Sequence, residues 1–276
     1  MIYPGEAALI RVLVVESNTP ELCIAARERG HRTPADIYAS ALTFNDPGLA
    51  VERVAPYEKR VDLAAHDEIH GVAFTGSGVD WSTDDARAEP LRHCMEQVFE
   101  RCLPTIGSCN GMQLAAVVLG GRVGSSPNGL ETGVASLIRL DEGLAAHPLL
   151  AGRPERFCAP TIHRDEVQVL PDGAVHLVCN PHTAYQAFSY QRDGVDFWGT
   201  QYHPEMRISD VAHCLGREAF DGADMRADAL ANAEHDDTAA RQLGTSVVEL
   251  SDPERTTELR NWLHHVHQCH DTRSVA

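Results

Sequence analysis

Short apolar runs alternate with segments of helical spacing through the first half of the chain. Four runs have the length and β-branched composition of buried strands: residues 10–15, 51–54, 71–75 and 104–108. Three segments repeat apolar residues at helical spacing: 20–29, 84–102 and 111–119. Residues 31–50 are typical of a loop–helix–loop excursion. Strands that alternate with helices predict an α/β protein with a mainly parallel central sheet.

The second half of the chain has a different pattern. Five short strand-like runs are separated by Gly, Pro and Asn: residues 134–140, 166–170, 174–179, 185–190 and 195–202. Residues 217–242 are rich in Ala, Asp and Arg and predict exposed helix and loop. A capping box from Ser251 to Glu254 precedes a helix with four apolar residues at helical spacing: Leu259, Trp262, Leu263 and Val266. We therefore expect an antiparallel β extension of the sheet and a C-terminal helical tail.

Composition limits the class of partner. The 276 residues carry a formal net charge of −17, which argues against nucleic acid or an anionic membrane. No stretch approaches the roughly 20 apolar residues of a membrane span, and the first residues lack the pattern of a secretory signal. The 8 cysteines have no repeating spacing that would indicate a disulfide framework. We expect a cytoplasmic protein with reduced thiols.

The clearest chemical motif joins the fourth predicted strand to the helix that follows it. Gly107, Cys109 and Gly111 form a Gly-x-Cys-x-Gly sequence, which is typical of a nucleophile elbow. The two glycines are needed because the turn from strand to helix leaves no room for side chains. Such a turn places the sulfur at a helix N-terminus, where the dipole favours thiolate. The motif predicts a cysteine that attacks a carbonyl carbon.

A nucleophilic cysteine needs a base and a group that orients the base. His203 and Glu205 supply such a pair directly after the strand-like run 195–202. Pro204 fixes the backbone between them, so the two side chains can point the same way. We expect Glu205 to hold one nitrogen of His203 while the other nitrogen faces Cys109.

With these three blocks the chain resembles the class I glutamine amidotransferases. The family's Gly-x-Cys-x-Gly-x-Gln is present from Gly107 to Gln113, and its His-Pro-Glu is intact at 203–205. Its glycine-rich oxyanion loop is matched by Thr75-Gly-Ser-Gly78. The resemblance covers about residues 10–206. Segments 128–133, 163–167 and 185–188 are similar to the stand-alone branch related to the GMP synthetase glutaminase domain.

The resemblance implies a flavodoxin-like three-layer fold and a role for each matched residue. Cys109 is expected to attack the side-chain amide of glutamine, with His203 as proton donor and Glu205 as its orienting group. The N–H of Asn110 and an N–H of Gly76 or Ser77 are expected to hold the oxyanion. Substrate contacts are expected from six further residues: Gly78, Gln113, Tyr185, Gln186, Ala187 and Phe188.

The resemblance also implies a domain of residues 1–210, and the remaining 211–276 predict a helical extension packed on it. We expect no cofactor and no metal. His264, His267 and His270 share one helix face, and the interpretation we favour is a solvated face rather than a metal site.

Three functions remain open at this stage. The first is a glutaminase subunit that hydrolyses L-glutamine and supplies ammonia to a separate synthase in trans. It is favoured because the chain has no Gly-x-x-x-x-Gly-Lys-Ser/Thr loop and little length after residue 206 for a synthetase. The second is a stand-alone γ-glutamyl peptidase or hydrolase with the same triad. The third is a catalytically silent binding or regulatory homologue.

Overall fold

The computed structural model describes residues 9–66, 68–140, 147–215 and 224–275. The strands are β1 (Arg11–Val15), β2 (Ala50–Val54), β3 (Gly71–Phe74), β4 (Thr105–Ser108), β5 (Arg122–Ser125), β6 (Glu131–Arg139), β7 (Arg156–His163), β8 (Asp165–Val169), β9 (Val175–Cys179), β10 (Ala187–Arg192) and β11 (Val195–Thr200). The helices are α1 (Pro20–Glu28), α2 (Pro34–Asn45), α3 (Glu89–Glu100), α4 (Asn110–Val118), α5 (Ile208–Leu215), α6 (Asp224–Asn232), α7 (Asp237–Gln242), α8 (Val247–Leu250), α9 (Asp252–Arg255) and α10 (Thr257–Val275).

One large sheet organises the molecule. Its order is β2-β1-β3-β4-β11-β10-β9-β6-β7, and β5 pairs with β8 in a separate two-stranded sheet. The five strands from β2 to β11 are parallel to one another, and the strands from β10 to β7 pair in antiparallel fashion. This confirms the expected central sheet with an antiparallel extension.

The two faces of the sheet are both covered, which gives three layers. Alternate residues of β1 point to opposite faces. Val12 and Val14 pack in the cluster that contains residues of α2 and α10, whereas Leu13 and Val15 pack in the cluster that contains residues of α3 and α4. Because each face is buried under helices, β1 is apolar from Val12 to Val15 rather than alternating. The flavodoxin-like three-layer arrangement is confirmed.

Two strands were absent from the sequence pattern. The apolar alternation did not indicate β5 or β7, although β7 forms a long antiparallel ladder with β6. In β7 nearly every side chain is buried, including those of Pro160, Thr161 and His163. Polar residues and a proline in a strand buried on both faces hide the periodicity that identifies strands.

The C-terminal helices differ from expectation in two respects. The capping box at Ser251 is wrong, because the Ser251 hydroxyl donates to the carbonyl of Val248 over 2.6 Å and caps no helical N–H. The expected exposure of 217–242 is wrong where α6 and α7 are described, because Leu230 and Ala240 are buried in a cluster with Val211 of α5. Residues 217–223 of that segment lie outside the described residues.

The last helix packs as its apolar spacing predicts. Leu259, Trp262 and Val266 are fully buried against the sheet. A Cβ atom at Gly71 of β3 would lie 2.9 Å from a methyl carbon of Val266, so helix and strand approach closely only because position 71 is glycine. Within the residues that the structure describes, no helix combines the length and apolar character that a membrane span needs.

Candidate active site

Cys109 lies in the turn that joins β4 to α4. Its backbone has φ 49° and ψ −103°, a conformation in which an L-residue is strained. Its N–H donates to the carbonyl of Thr200 on β11 over 2.7 Å, which anchors the turn to the neighbouring strand. The side chain is 6% exposed. The sulfur is therefore held at one place, at the N-terminus of α4.

The two glycines of the motif make this turn possible. A Cβ atom at Gly107 would lie 2.6 Å from the backbone carbon of Gly111. One at Gly111 would lie 2.6 Å from the backbone oxygen of Phe74. Both contacts are with backbone atoms that cannot move aside. The turn therefore requires glycine at both positions, as the motif predicts.

His203 and Glu205 follow β11, the strand beside β4. Nδ1 of His203 donates to Oε1 of Glu205 over 2.7 Å, and both side chains are buried. Cys109 is near enough to His203 to contribute to the raised pKa of the imidazole. The carbonyl oxygen of Ile162 lies 3.7 Å from Sγ of Cys109 and 3.4 Å from Nε2 of His203. The structure thus brings together the three residues of the expected triad.

The environment of His203 favours its charged form. Burial lowers the pKa of the imidazole, but the charge of Glu205, its hydrogen bond to Nδ1 and the neighbouring Cys109 outweigh that effect. The pKa of His203 is therefore raised well above its ordinary value. An imidazolium next to a thiol is the arrangement that supports thiolate attack.

Residues on both sides of His203 are tied to the C-terminal helices. The hydroxyl of Tyr202 donates to Oε1 of Glu258 over 2.9 Å, and Arg153 donates to both carboxylate oxygens of Glu258. Arg255 of α9 donates to the carbonyl oxygen of Pro204 over 2.6 Å. The four side chains that form these hydrogen bonds are all buried: Tyr202, Arg153, Glu258 and Arg255. The segment that carries the histidine is therefore fixed by α9 and α10.

The loop after β3 lies against the triad. A Cβ atom at Gly76 would lie 2.7 Å from Cε1 of His203 and 3.7 Å from Cβ of Cys109. Gly78 donates its N–H to Asn18, whose side chain also accepts from the Ser77 hydroxyl. The backbone N–H groups of Gly76, Ser77 and Asn110 have no hydrogen-bond acceptor among the residues that the structure describes.

A cavity of about 460 Å³ opens beside Cys109 and His203, within the size range of small-molecule sites. Its wall includes all the residues expected in the triad and the oxyanion hole. Gly78 and Gln113, two of the expected substrate contacts, also line it. The Gln113 amide donates to the backbone oxygen of Asp165 over 2.7 Å and to Gln201 over 3.2 Å.

The other expected substrate contacts lie elsewhere. Residues Tyr185, Gln186, Ala187 and Phe188 are not part of the cavity wall. Gln186 is fully buried and donates to Glu131, and Phe188 packs in the apolar core. Tyr185 packs edge to face on His176. We therefore leave these four residues out of the substrate site proposed below.

The sequence did not identify several other residues of the cavity wall as site residues. Arg164 and Asp165 line the cavity at the β7–β8 turn, within a segment that the sequence marked only as a family resemblance. Asn18, Arg29 and Arg32 line it from the loops and helix after β1. These residues belong to no short motif, because the fold alone brings them to the nucleophile.

One group of potential metal ligands includes His163, which is part of this cavity wall. Oxygen and nitrogen atoms of Glu131, His163 and His182 lie within 4.8 Å of one another. Glu131 accepts from His163 over 2.7 Å, from Gln186 over 2.7 Å and from Asn180 over 2.6 Å. These three hydrogen bonds connect the carboxylate to His163 at the end of β7, so the group supports the β7–β8 turn.

Fold and site together define a cysteine-dependent C–N hydrolase built on a flavodoxin-like sheet. The family model for glutamine amidotransferase class-I matches residues 48–219. The chain therefore belongs to the class I glutamine amidotransferase family.

Similar proteins fall in the same class. A γ-glutamyl-L-1-hydroxyisopropylamide hydrolase from Pseudomonas is 30% identical over 76% of this chain and 72% of its own. The GMP synthase of Thermomicrobium roseum is 33% identical over 59% of this chain but only 28% of its own length. The structure of a glutamine amidotransferase from Thermotoga maritima superposes with a TM-score of 0.68 at 18% identity, covering 94% of this chain and 98% of that one.

Proposed function

We propose that this protein hydrolyses the γ-carboxamide of glutamine, or of a γ-glutamyl compound, through a thioester on Cys109. The observation that carries the proposal is the contact series from Glu205 through His203 to Cys109 at the wall of a cavity. A carboxylate, an imidazole and a thiol in this order serve attack on a carbonyl carbon.

Acylation uses the proton that His203 holds. The thiolate of Cys109 adds to the amide carbon, and the carbonyl electron pair moves to oxygen, next to the N–H groups of Asn110 and of Gly76 or Ser77. When the tetrahedral intermediate collapses, the C–N bond breaks and Nε2 of His203 gives its proton to the nitrogen. A neutral amine or ammonia leaves, and the γ-glutamyl group remains on sulfur.

Deacylation reverses the proton movement. The now neutral His203 takes a proton from water as the water oxygen attacks the thioester carbon. Collapse of the second intermediate breaks the C–S bond, which releases glutamate and restores the thiolate and imidazolium. Glu205 keeps Nδ1 protonated throughout and stabilises the charged ring.

Charged and polar groups near Gln113 suit the amino-acid end of the substrate. Arg164 and Asp165 line the cavity and contact each other over 3.4 Å, and this pair offers one positive and one negative group to the α-carboxylate and the α-ammonium group of a substrate. Oε1 of Gln113 accepts no hydrogen bond from the described residues, so it is available to the ammonium group. We assign these three residues and Gly78 to the glutamyl end.

Covalent labelling tests the nucleophile directly. A glutamine-analogue electrophile such as 6-diazo-5-oxonorleucine should add to Cys109 and to no other cysteine, as mass spectrometry of peptides would show. Cys109→Ser should abolish labelling and hydrolysis, whereas Cys102→Ser, at an exposed position outside the cavity, should retain both. A folded protein that fails to label at Cys109 would instead support the catalytically silent homologue.

For the released ammonia, we propose transfer to a separate synthase. One support is the GMP synthase of Thermomicrobium roseum, in which the matched region is 28% of a longer protein. Another is a solved structure from Thermoplasma acidophilum, described as one subunit of a GMP synthase, with a TM-score of 0.61 at 16% identity and 98% coverage of both chains. The purified protein should then hydrolyse glutamine slowly, and proteins that co-purify with it should accelerate the reaction. Rapid hydrolysis that no partner changes would contradict this role.

The alternative role is a stand-alone γ-glutamyl hydrolase. The observation that favours it is the cavity of about 460 Å³, which is within the size range of sites that hold ligands larger than an amino acid. The Pseudomonas relative named for hydrolysis of a γ-glutamyl amide also covers most of this chain. Steady-state assays with glutamine and substituted γ-glutamyl amides separate the two roles, and a strict preference for glutamine would contradict the hydrolase.

A further inference from the structure

The cavity continues from the triad into a region between α1 and α5, which we call the α1 arm. Its wall includes Leu22, Ala25 and Ala26 of α1 and Arg29 directly after that helix, together with Met206 and Cys214. The same cavity is also lined by the glutamyl-end residues Gly78, Gln113, Arg164 and Asp165. Cys109 and His203 thus have space for two different parts of a substrate.

The α1 arm is apolar where it adjoins the triad. Leu22, Ala25 and Ala26 follow helical spacing and are all partly exposed, whereas Cys23 is the buried residue of α1. Leu22, Ala25 and Ala26 do not belong to the apolar clusters of the described core. This helix face is therefore turned to the cavity, where it suits an aliphatic group.

The outer end of the α1 arm is cationic, although the whole chain carries a net charge of −17. Arg32 is neutralised by a bidentate contact with Asp210, 3.0 Å to each oxygen, and His31 stacks on His213 at 4.3 Å. Arg29 has no acidic partner among the described residues. An anionic group in the arm would therefore meet a guanidinium whose charge is still available.

The α1 arm is the part of the cavity wall that remains once the glutamyl-end residues are assigned. Met206 and Cys214 line the same cavity as Cys109 and His203. His203 delivers its proton to the departing nitrogen, so a group carried by that nitrogen occupies the remainder of this cavity.

We propose that the α1 arm binds the leaving amine of a γ-glutamyl amide, and that this amine is aliphatic and carries a carboxylate held by Arg29. The substrate class is then the γ-glutamyl amino acids. This inference rests on the proposed function of Cys109. The reaction breaks the bond between the γ-carbonyl carbon and the amino-acid nitrogen, which takes the His203 proton, and water later cleaves the thioester. The products are glutamate and a free amino acid.

Two substrates isolate the contribution of the carboxylate. γ-Glutamyl-L-alanine and γ-glutamylisopropylamide differ only by a carboxylate in place of a methyl group. We expect kcat/KM to be about two- to fivefold higher for γ-glutamyl-L-alanine, the factor given by one exposed ion pair. Arg29→Ala should remove this ratio. Arg27→Ala, an exposed arginine of α1 outside the cavity wall, should keep it.

A second variant tests the apolar part of the α1 arm. Ala25→Phe fills space next to the departing nitrogen, so the ratio of kcat/KM for γ-glutamylisopropylamide to that for glutamine should fall by about tenfold. Ile24→Phe, at the exposed neighbouring position outside the cavity wall, is the matched control and should leave the ratio as in the wild type. Thermal melting curves establish that each variant is folded.

The outcomes separate the two proposals. Hydrolysis of glutamine with no hydrolysis of either substituted amide would overturn the α1 arm as an amine site and leave the function of Cys109 intact. An alanine-to-isopropylamide ratio that Arg29→Ala leaves unchanged would overturn the role of Arg29. If none of the three substrates is hydrolysed and Cys109 forms no covalent adduct, the proposed function itself is contradicted.

Discussion

Oε1 of Glu205 lies 2.7 Å from Nδ1 of His203, and the second carboxylate oxygen of Glu205 is buried with no hydrogen-bond partner among the described residues. The imidazole is therefore the main group that stabilises this carboxylate. In return, the carboxylate charge is the strongest of the influences that raise the pKa of His203. The two residues act as one unit that keeps a proton ready for the leaving nitrogen.

Replacing Glu205 by Gln should lower kcat/KM by about a hundredfold or more and change its pH dependence. His203 loses its proton as pH rises through its pKa, so activity falls on the alkaline side. Without the carboxylate charge that pKa is lower, and the alkaline fall should begin at lower pH. The pH profile of glutamine hydrolysis measures this shift, with the exposed Glu254→Gln as control. An alkaline limb at the wild-type position would contradict this account.

Replacing Gly76 by Ala should remove most activity while the protein remains folded. The new Cβ would lie 2.7 Å from Cε1 of His203, whose ring is held by Glu205 and cannot move without losing that bond. Gly78→Ala is the matched comparison, because its Cβ would lie 3.8 Å from the nearest atom, an ordinary contact. We expect kcat to fall at least about tenfold further in Gly76→Ala than in Gly78→Ala. Equal effects would count against close packing of this loop on the imidazole.

Replacing Arg255 by Ala should connect the C-terminal helices to catalysis. The change removes the hydrogen bond to the carbonyl of Pro204, between the catalytic histidine and glutamate, and an ion pair with Asp252. We expect the free energy of unfolding to fall by about 2 kcal/mol and kcat to fall more than KM changes. Denaturant unfolding and steady-state kinetics measure both effects.

The control for this variant is Arg260→Ala. Arg260 is exposed on α10 and also donates to a backbone carbonyl, that of Pro253, over 2.9 Å. Loss of this surface contact should change stability by no more than about 0.5 kcal/mol and leave kcat as it is. Equal losses in the two variants would show that the Pro204 contact has no special role.

Replacing Glu131 by Ala should disturb the glutamyl end of the cavity. Its carboxylate holds His163 at the end of β7, and the turn that follows carries Arg164 and Asp165 into the cavity wall. We expect KM for glutamine to rise by about tenfold and stability to fall, because three donors, two of them buried, lose their acceptor. Glu155→Ala, at an exposed position, should behave as wild type. An unchanged KM would show that the β7–β8 turn keeps its position without this carboxylate.

The chemistry of the nucleophile could be predicted from sequence because its requirements are local. Gly107 and Gly111 have backbone atoms of neighbouring elements at 2.6 Å from their Cβ positions, so glycine is required whatever else the fold does. His203 and Glu205 are two residues apart, and one strand end presents both. Residues at short spacing and the glycines of a sharp turn can both be recognised in the sequence.

Substrate-facing positions were predicted less well because they depend on packing across the chain. The family resemblance implied substrate contacts at 185–188, yet β10 lies inside the sheet and Gln186 bonds to Glu131, 55 residues away. Arg29 and Arg164 meet in one cavity only through the fold. No periodicity in the sequence marks such residues.

The sequence by itself determined the cysteine, its base and the alternating strands and helices, because each follows from local geometry or spacing. Only the tertiary structure decided that Glu258 and Arg255 hold the residues on either side of His203, and that one face of α1 is turned to the cavity rather than the core. These arrangements depend on contacts between residues far apart in the chain. These hydrogen bonds are strengthened by burial, and the burial of a polar side chain cannot be inferred from the sequence pattern.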